Sequence, residues 1–256
     1  MWEVLLDSPL FIVAYPIFLS LSLVGGLLFA RGYRRTKKWQ SSGIENSVIG
    51  IFGLIISFTF LTAGNAHRER YAYIHQEVNA TEQLYRYSKQ MPDSFQKRTR
   101  TFLVDFLTNQ TSYSALKPDS AIQVVPQAVI LMNNYWDYFA ACKRNCTDPS
   151  IEKNAEKIAT AFDVMKFSFS RTVFSYYERT PAIVMYLLVI SSLMIGFLIG
   201  FMNGINEDVH YLLPVIYLIL VAMIMIAIRD LNNPFSGFIR PSFKNLEILN
   251  DYIKTH

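Results

Sequence analysis

Four times along the chain, apolar residues run on for the roughly twenty positions that a helix needs to cross a 30 Å hydrocarbon core. Between the second and third runs they recur instead at steps of three and four. The long runs cover residues 9–30, 47–64, 182–202 and 209–228. The first three carry no charged side chain, and the fourth holds only His210 near its start. Nothing ionised would need solvation in lipid, so each run predicts a transmembrane helix. The first is not read as a signal peptide, because residues 1–8 carry Glu3 and Asp7 without Lys or Arg and the apolar run exceeds an h-region.

The second run continues past Gly64 into His67, Arg68, Glu69 and Arg70 without a Pro or Gly, which predicts one helix leaving the membrane. On it Tyr71, Ile74, Val78, Thr81 and Tyr85 form a helical face up to the break at Pro92. A second polar helix carries Phe95, Phe102 and Phe106. A third, over residues 119–142 with Pro126 in its early turns, is expected to place Ile122, Val129, Trp136 and Phe139 inward. A fourth opens with Asp148 as N-cap, Pro149 at the first position and Glu152 in the first turn. Its inner face is Ile151, Ala155, Ile158, Phe162, Met165 and Phe169, and Pro181 introduces the third span. No alternating strand pattern is visible. The expectation is an all-α, polytopic membrane protein with four transmembrane helices and a helical cytoplasmic domain inserted between the second and third. Residues 1–64 hold the first two spans and a basic connecting loop, 65–180 the helical domain, 181–228 the last two spans, and 229–256 a C-terminal tail.

Composition agrees with a membrane class: 52% of residues are apolar and 17% charged, and the mean hydropathy is +0.22. A net charge of +4 with scattered basic residues predicts no nucleic-acid partner. The loop after the first span places Arg31, Arg34, Arg35, Lys37 and Lys38 on one side of the membrane. Arg68, Arg70, Lys166, Arg171, Arg179, Arg229, Arg240 and Lys244 lie near helix ends on the other. The larger set predicts that both termini and the helical domain face the cytoplasm of a cell (inner) membrane. Cys142 and Cys146 are then two thiols in a reduced compartment, whereas in an oxidising one they would be candidates for a small disulfide.

No phosphate-binding loop, nucleophile elbow, paired metal histidines or acidic calcium loop occurs, so no enzyme, no cofactor and no metal site is expected. His67 and Glu69 form a bare H-x-E without the Cys pair of a deaminase. His67 and His75, with Glu77 nearby, read as a solvated helix face, and the N-x-T triplets at Asn79, Asn109 and Asn145 as chance. The informative pattern is small residues at helical spacing. Ser192, Gly196, Gly200 and Gly204 make a stripe without bulk in the third span, as do Gly50, Gly53, Ser57 and Gly64 in the second, and such stripes admit another helix closely. Phe52, Ile56 and Phe60 lie four apart on a different face of the second span, where lipid or helix contact is the simplest use for them.

Two segments resemble a family of mostly bacterial, bestrophin-like membrane proteins of unknown function. One is Gly53-Leu54, Phe58-Thr59-Phe60, Arg68, Arg70, then Glu77, Asn79, Ala80 and Tyr85, similar to that family's phenylalanine-bearing span and E-x-N-A stretch. The other is Asp230-Leu231-Asn232-Asn233-Pro234-Phe235-Ser236-Gly237, similar to its D-L-x-x-P-F-x-G signature. Bestrophins are ion channels whose second span lines a hydrophobic neck. The resemblance therefore implies a pore neck at Phe52, Ile56 and Phe60, a mouth at Arg68 and Arg70, a homo-oligomer of five copies in the lipid bilayer, and small inorganic ions as the permeating partners, anions among them. It also implies no calcium clasp, since residues 237–245 contain no acid, and Glu69-Arg70-Tyr71 stands where bestrophins have an aromatic signature. A reading from a different class is a non-conducting scaffold or sensor that binds a partner through its helical domain.

Overall fold

The computed structural model describes residues 8, 10–35, 43–112, 118–145, 149–206, 210–234 and 238–256. Among them are eight α-helices and no strand: α1 (Leu10–Arg34), α2 (Ile44–Ser88), α3 (Asp93–Thr111), α4 (Pro118–Asn145), α5 (Pro149–Ser175), α6 (Ala182–Ile205), α7 (Leu212–Asn232) and α8 (Lys244–Thr255). The helices long and apolar enough to cross a membrane are α1, α2, α6 and α7. The chain divides into unit 1, Met1–Ala66 with Arg179–Asn233, and unit 2, His67–Glu178 with Pro234–His256. The single helix α2 supplies residues to both.

Unit 1 is held together where α1 and α6 touch backbone to backbone. Ser192, Gly196, Gly200 and Gly204 are buried along α6. A Cβ on Gly200 would stand 2.0 Å from the carbonyl oxygen of Leu23, and one on Gly26 of α1 would stand 2.0 Å from that of Phe197. Both helices therefore need glycine at the crossing. Ser192 joins three helices: the Tyr15 hydroxyl donates to its Oγ at 2.8 Å, and the Tyr217 hydroxyl donates to its carbonyl at 2.7 Å. Ser22 of α1, two turns beyond Tyr15, donates to the Leu193 carbonyl at 2.6 Å. In lipid these polar groups have no water to turn to, so they bond across helices.

Unit 2 is packed on aromatic rings. Phe102 of α3 stacks on Tyr135 of α4 at 4.3 Å, Phe162 of α5 lies 5.5 Å from Tyr135, and Phe106 meets Phe169 edge-on at 5.4 Å. The face expected on α4 is shifted. Ala128, Met132, Tyr135 and Phe139 are buried, while Val129 and Trp136 are exposed, and the Ile122 side chain lies outside the described residues. The inner slot takes Tyr135 because its hydroxyl reaches Thr99 Oγ1 at 3.0 Å, and the larger Trp136 ring lies over Phe162 at the rim. α5 begins at Pro149, whereas the expected N-cap Asp148 lies outside the described residues. Cys142 is half-buried beside this core, and Cys146 is likewise outside. The segment read from sequence as a tail forms α8, whose Leu246, Leu249, Asn250 and Ile253 are buried. It is bonded to α3 through Asn250 Nδ2 donating to Thr108 Oγ1 at 3.2 Å and through Arg100 donating to the Lys254 carbonyl.

Candidate functional site

Phe52 and Ile56 point into the core of unit 1, only 6% and 7% exposed, among Leu188, Met225 and Ile228. Phe60, at the edge of that face, is 45% exposed. The structure thus brings the first two together and leaves the third open. The opposite face of α2, with Ile51, Leu54, Phe58 and Leu61, is covered by nothing in the protomer. Gly50, Gly53 and Ser57 lie on the uncovered side as well, and a Cβ on either glycine would meet no atom within 4 Å. Gly64 is equally clear. The two small-residue stripes therefore differ: that of α6 is filled by α1, and that of α2 is empty.

The two arginines beyond the span also part company. Arg68 is exposed, a cation in solvent. Arg70 is 1% exposed. Its Nε donates to the Ser175 carbonyl at 2.9 Å and its Nη2 to that of Glu178 at 2.6 Å. A guanidinium there satisfies carbonyls left open at the end of α5 and meets the negative end of that helix's dipole. Burial first, and the Arg70 charge second, pull the neighbouring His67 imidazole below its usual range. Of the two arginines, Arg68 alone is exposed, and Glu69 beside it is exposed as well.

The motif residues separate in the same way. Asn79 is exposed, but Glu77 is completely buried. Gln110 of α3 donates to Glu77 Oε1, Thr172 of α5 lies within bonding range, and Oε2 has no partner. Thr172 donates to the Ser168 carbonyl at 3.1 Å, and a completely buried carboxyl with one oxygen unpartnered suits a protonated acid. Burial pushes Glu77 up to about 7. In unit 1 the end of α7 buries Arg229 beside Asp230, Nη1 to Oδ1 3.3 Å, while Arg229 Nη2 donates to the Ser8 carbonyl at 3.2 Å. Asn232 Oδ1 accepts from the Thr180 amide and hydroxyl at 3.3 and 2.8 Å, tying the start of α6 to the end of α7. Asn233 and Pro234 are buried, and Phe235 and Gly237 lie outside the described residues. Sequence reasoning missed Gln110 and Thr172, for which a single chain offers no signal, and read Arg229 only as a cation flanking the last span. Asn232 was quoted only as a variable position inside the signature. Among the described residues no cluster of His, Cys, Asp and Glu could hold a metal ion.

A family profile described as a Bestrophin-like domain matches residues 12–242. Crystal structures of a bacterial bestrophin homologue from Klebsiella pneumoniae, in three mutant forms, share the fold. Two superpose with a TM-score of 0.68 at 11% identity, over 95% of this chain and 94% of that chain in one and 96% and 98% in the other. The third gives 0.65 at 12% identity over 96% and 97%. A search of curated proteins found no match.

Proposed function

The chain belongs to the Bestrophin-like family, and from that premise and the bestrophin fold we propose that it assembles as a homo-oligomer, of five copies, that conducts small inorganic ions across the cell membrane. The observation that carries this reading is the uncovered face of α2. It combines small residues, Gly50, Gly53 and Ser57, with bulky apolar ones, Ile51, Leu54, Phe58 and Leu61, on a helix that one protomer leaves bare. Small residues allow a second helix close, and apolar rings repeated round an axis make a constriction that gates by excluding water.

Of the three neck residues, Phe60 is the one an axis can reach without rearranging unit 1. Phe52 and Ile56 serve as neck residues only if α2 turns them out of the core. Arg68 concentrates anions at the mouth, whereas Arg70, tied to the end of α5, keeps that end folded. Both termini and unit 2 are cytoplasmic in this reading, which a reporter active only outside the cytoplasm, fused at Lys117, would overturn by being active.

Planar-bilayer recording of the purified protein with single cysteines is the deciding experiment. Aqueous thiol reagents should block current at position 60, and the block at 52 and 56 or at 51, 54, 58 and 61 tells which face lines the axis. Arg68→Glu should shift permeability towards cations. Conduction that no position on either face affects would remove the neck. The rival reading, a non-conducting scaffold, rests on a groove of about 390 Å³ in unit 2 lined by His75, Val78, Glu82, Ile248 and Tyr252. A stable, non-conducting monomer in detergent would favour it.

A further inference from the structure

Unit 2 carries two apolar surfaces on opposite flanks of α2. The first is a stripe along α5, where Val164, Phe167 and Phe174 are 43%, 63% and 66% exposed. Arg171 stands among them with its guanidinium 4.5 Å from the Tyr73 ring and 5.7 Å from that of Phe167. Its Nη2 donates to the Tyr73 hydroxyl at 3.2 Å, which holds the cation in place. Exposed rings in a row on a helix too polar to cross a membrane mark a contact surface. The second surface is the groove of about 390 Å³ between α2 and α8, with Val78, Ile248 and Tyr252 as apolar lining and His75 and Glu82 as polar. Tyr71 rests edge-on against the His75 ring at 4.7 Å. Tyr73 and His75, one on each flank, are about 200° apart round the helix, and exposed Glu69, Ala72, Gln76 and Asn79 lie on the face between them.

The stripe and the groove stand at one level along α2. α5 runs against α2, since Arg70 is bonded to the Ser175 and Glu178 carbonyls and Arg171 lies over Tyr73. At 1.5 Å per residue Val164 is therefore about 10 Å beyond Tyr73, near the level of Glu82, and Phe167 is near that of Val78. α8 runs along α2, with Asn245 Nδ2 3.3 Å from the His75 ring nitrogens and Tyr252 edge-on to Tyr85, which puts Ile248 near the level of Val78 as well. Rotation about an axis along α2 carries a surface sideways and keeps its level, so copies set round such an axis bring the stripe of one to the groove of the next. Counting back along α2, Glu82, Val78, His75, Tyr71, Gly64 and Ser57 follow at steps of three, four and seven. The groove thus continues the seam of small residues that one protomer leaves uncovered. We propose that each copy seats its α5 stripe in the α2–α8 groove of its neighbour, Phe167 against Val78 and Ile248, and Arg171 against the Tyr71 ring. Unlike surfaces meet in such a contact, and it closes into a ring when the rotation divides a full turn. It rests on the homo-oligomeric reading, and it occupies the groove that a scaffold would leave for another protein.

The test uses the full chain in lipid vesicles, with Cys142 and Cys146 replaced by serine and copper phenanthroline as oxidant. Phe167→Cys and Ile248→Cys in one chain should give a ladder of disulfide-linked copies up to the whole ring, because each copy offers a different thiol to each neighbour. Either substitution alone should give no dimer. Phe174→Cys with Tyr252→Cys, roughly 20 Å apart in level, should give none either. Phe167→Ala should raise the protein concentration at which the oligomer dissociates in detergent about thirtyfold, the size of an interface hot spot. Dimers from Phe167→Cys alone, an equal ladder from the off-level pair, or unchanged dissociation of Phe167→Ala would overturn the proposal. An oligomer by light scattering that gives no ladder would overturn it and leave the homo-oligomer standing, whereas a monomer would remove both.

Discussion

Where α1 crosses α6 the contact is made of glycine, and where α3, α4 and α5 meet it is made of phenylalanine and tyrosine. Of the helices in unit 2, none but α2, which it shares, is apolar enough to cross a membrane, and its rings suit a core that forms in water. Each buried ring removes a large apolar area from water, and that gain does not demand that backbones touch. In unit 1 the spans gain little by exchanging lipid for another apolar side chain. Attraction there has to come from close backbone packing and from polar groups that lipid cannot satisfy. Gly26 and Gly200 supply the first, and the bonds meeting at Ser192 supply the second. The two halves of one chain therefore fail under different substitutions.

The contrast is broken most severely by adding bulk at a glycine. Gly200→Leu drives a side chain into the Leu23 carbonyl, so yield and a single elution peak in detergent should be lost. Gly53→Leu, with open space around it, should leave the protomer folded. Equal behaviour of the two variants would mean that α1 and α6 do not interlock. Next in size, Phe102→Ala empties the ring stack of unit 2 and should cost about 3–5 kcal/mol, read from denaturant midpoints.

The third effect depends on pH. Glu77 is held protonated by burial, with a folded pKa of about 7 against the ordinary 4.5. Its contribution is complete below the ordinary value and is lost as pH rises through about 7. Wild-type stability should fall across that window by up to roughly 3 kcal/mol. Glu77→Gln should be flat there and the more stable protein above neutrality. A flat wild-type profile would mean that the carboxylate ionises without penalty. The smallest effect is Tyr15→Phe, which removes one interhelical bond and should lower unit 1 stability by about 0.6 kcal/mol, measurable in a steric-trap or detergent-titration assay.

The four spans were legible because uninterrupted apolar length has one main use, and the polar helices because Ile158, Phe162, Met165 and Phe169 keep strict helical spacing. The small stripe of α6 was readable for the same reason, though nothing in the sequence names α1 as its filler. Two kinds of information were missing. Arg70 and Arg229 sit near span ends, where charges normally anchor in headgroups, and their burial depends on carbonyls and a carboxylate brought from elsewhere in the fold. The direction that Phe52 and Ile56 face depends on which helices surround α2, and period alone fixes a face without fixing its neighbour. The C-terminal segment carries the same signal, since Leu246, Leu249, Asn250 and Ile253 follow the three-and-four step of a helical face.

Tyr15 and Ser192 are bonded across 177 positions of sequence, and that separation is also a delay. At roughly 5–20 residues per second of synthesis, α6 emerges about 9–35 s after α1. Through that interval α1 is already in the bilayer with Gly26 facing lipid and its tyrosine and serine hydroxyls lacking their partners. α1 is thus made well before the helix that completes it. A nascent chain halted after α2 would present this unfilled groove and the bare face of α2 together, as a substrate for membrane quality control rather than as an early half of the finished protein.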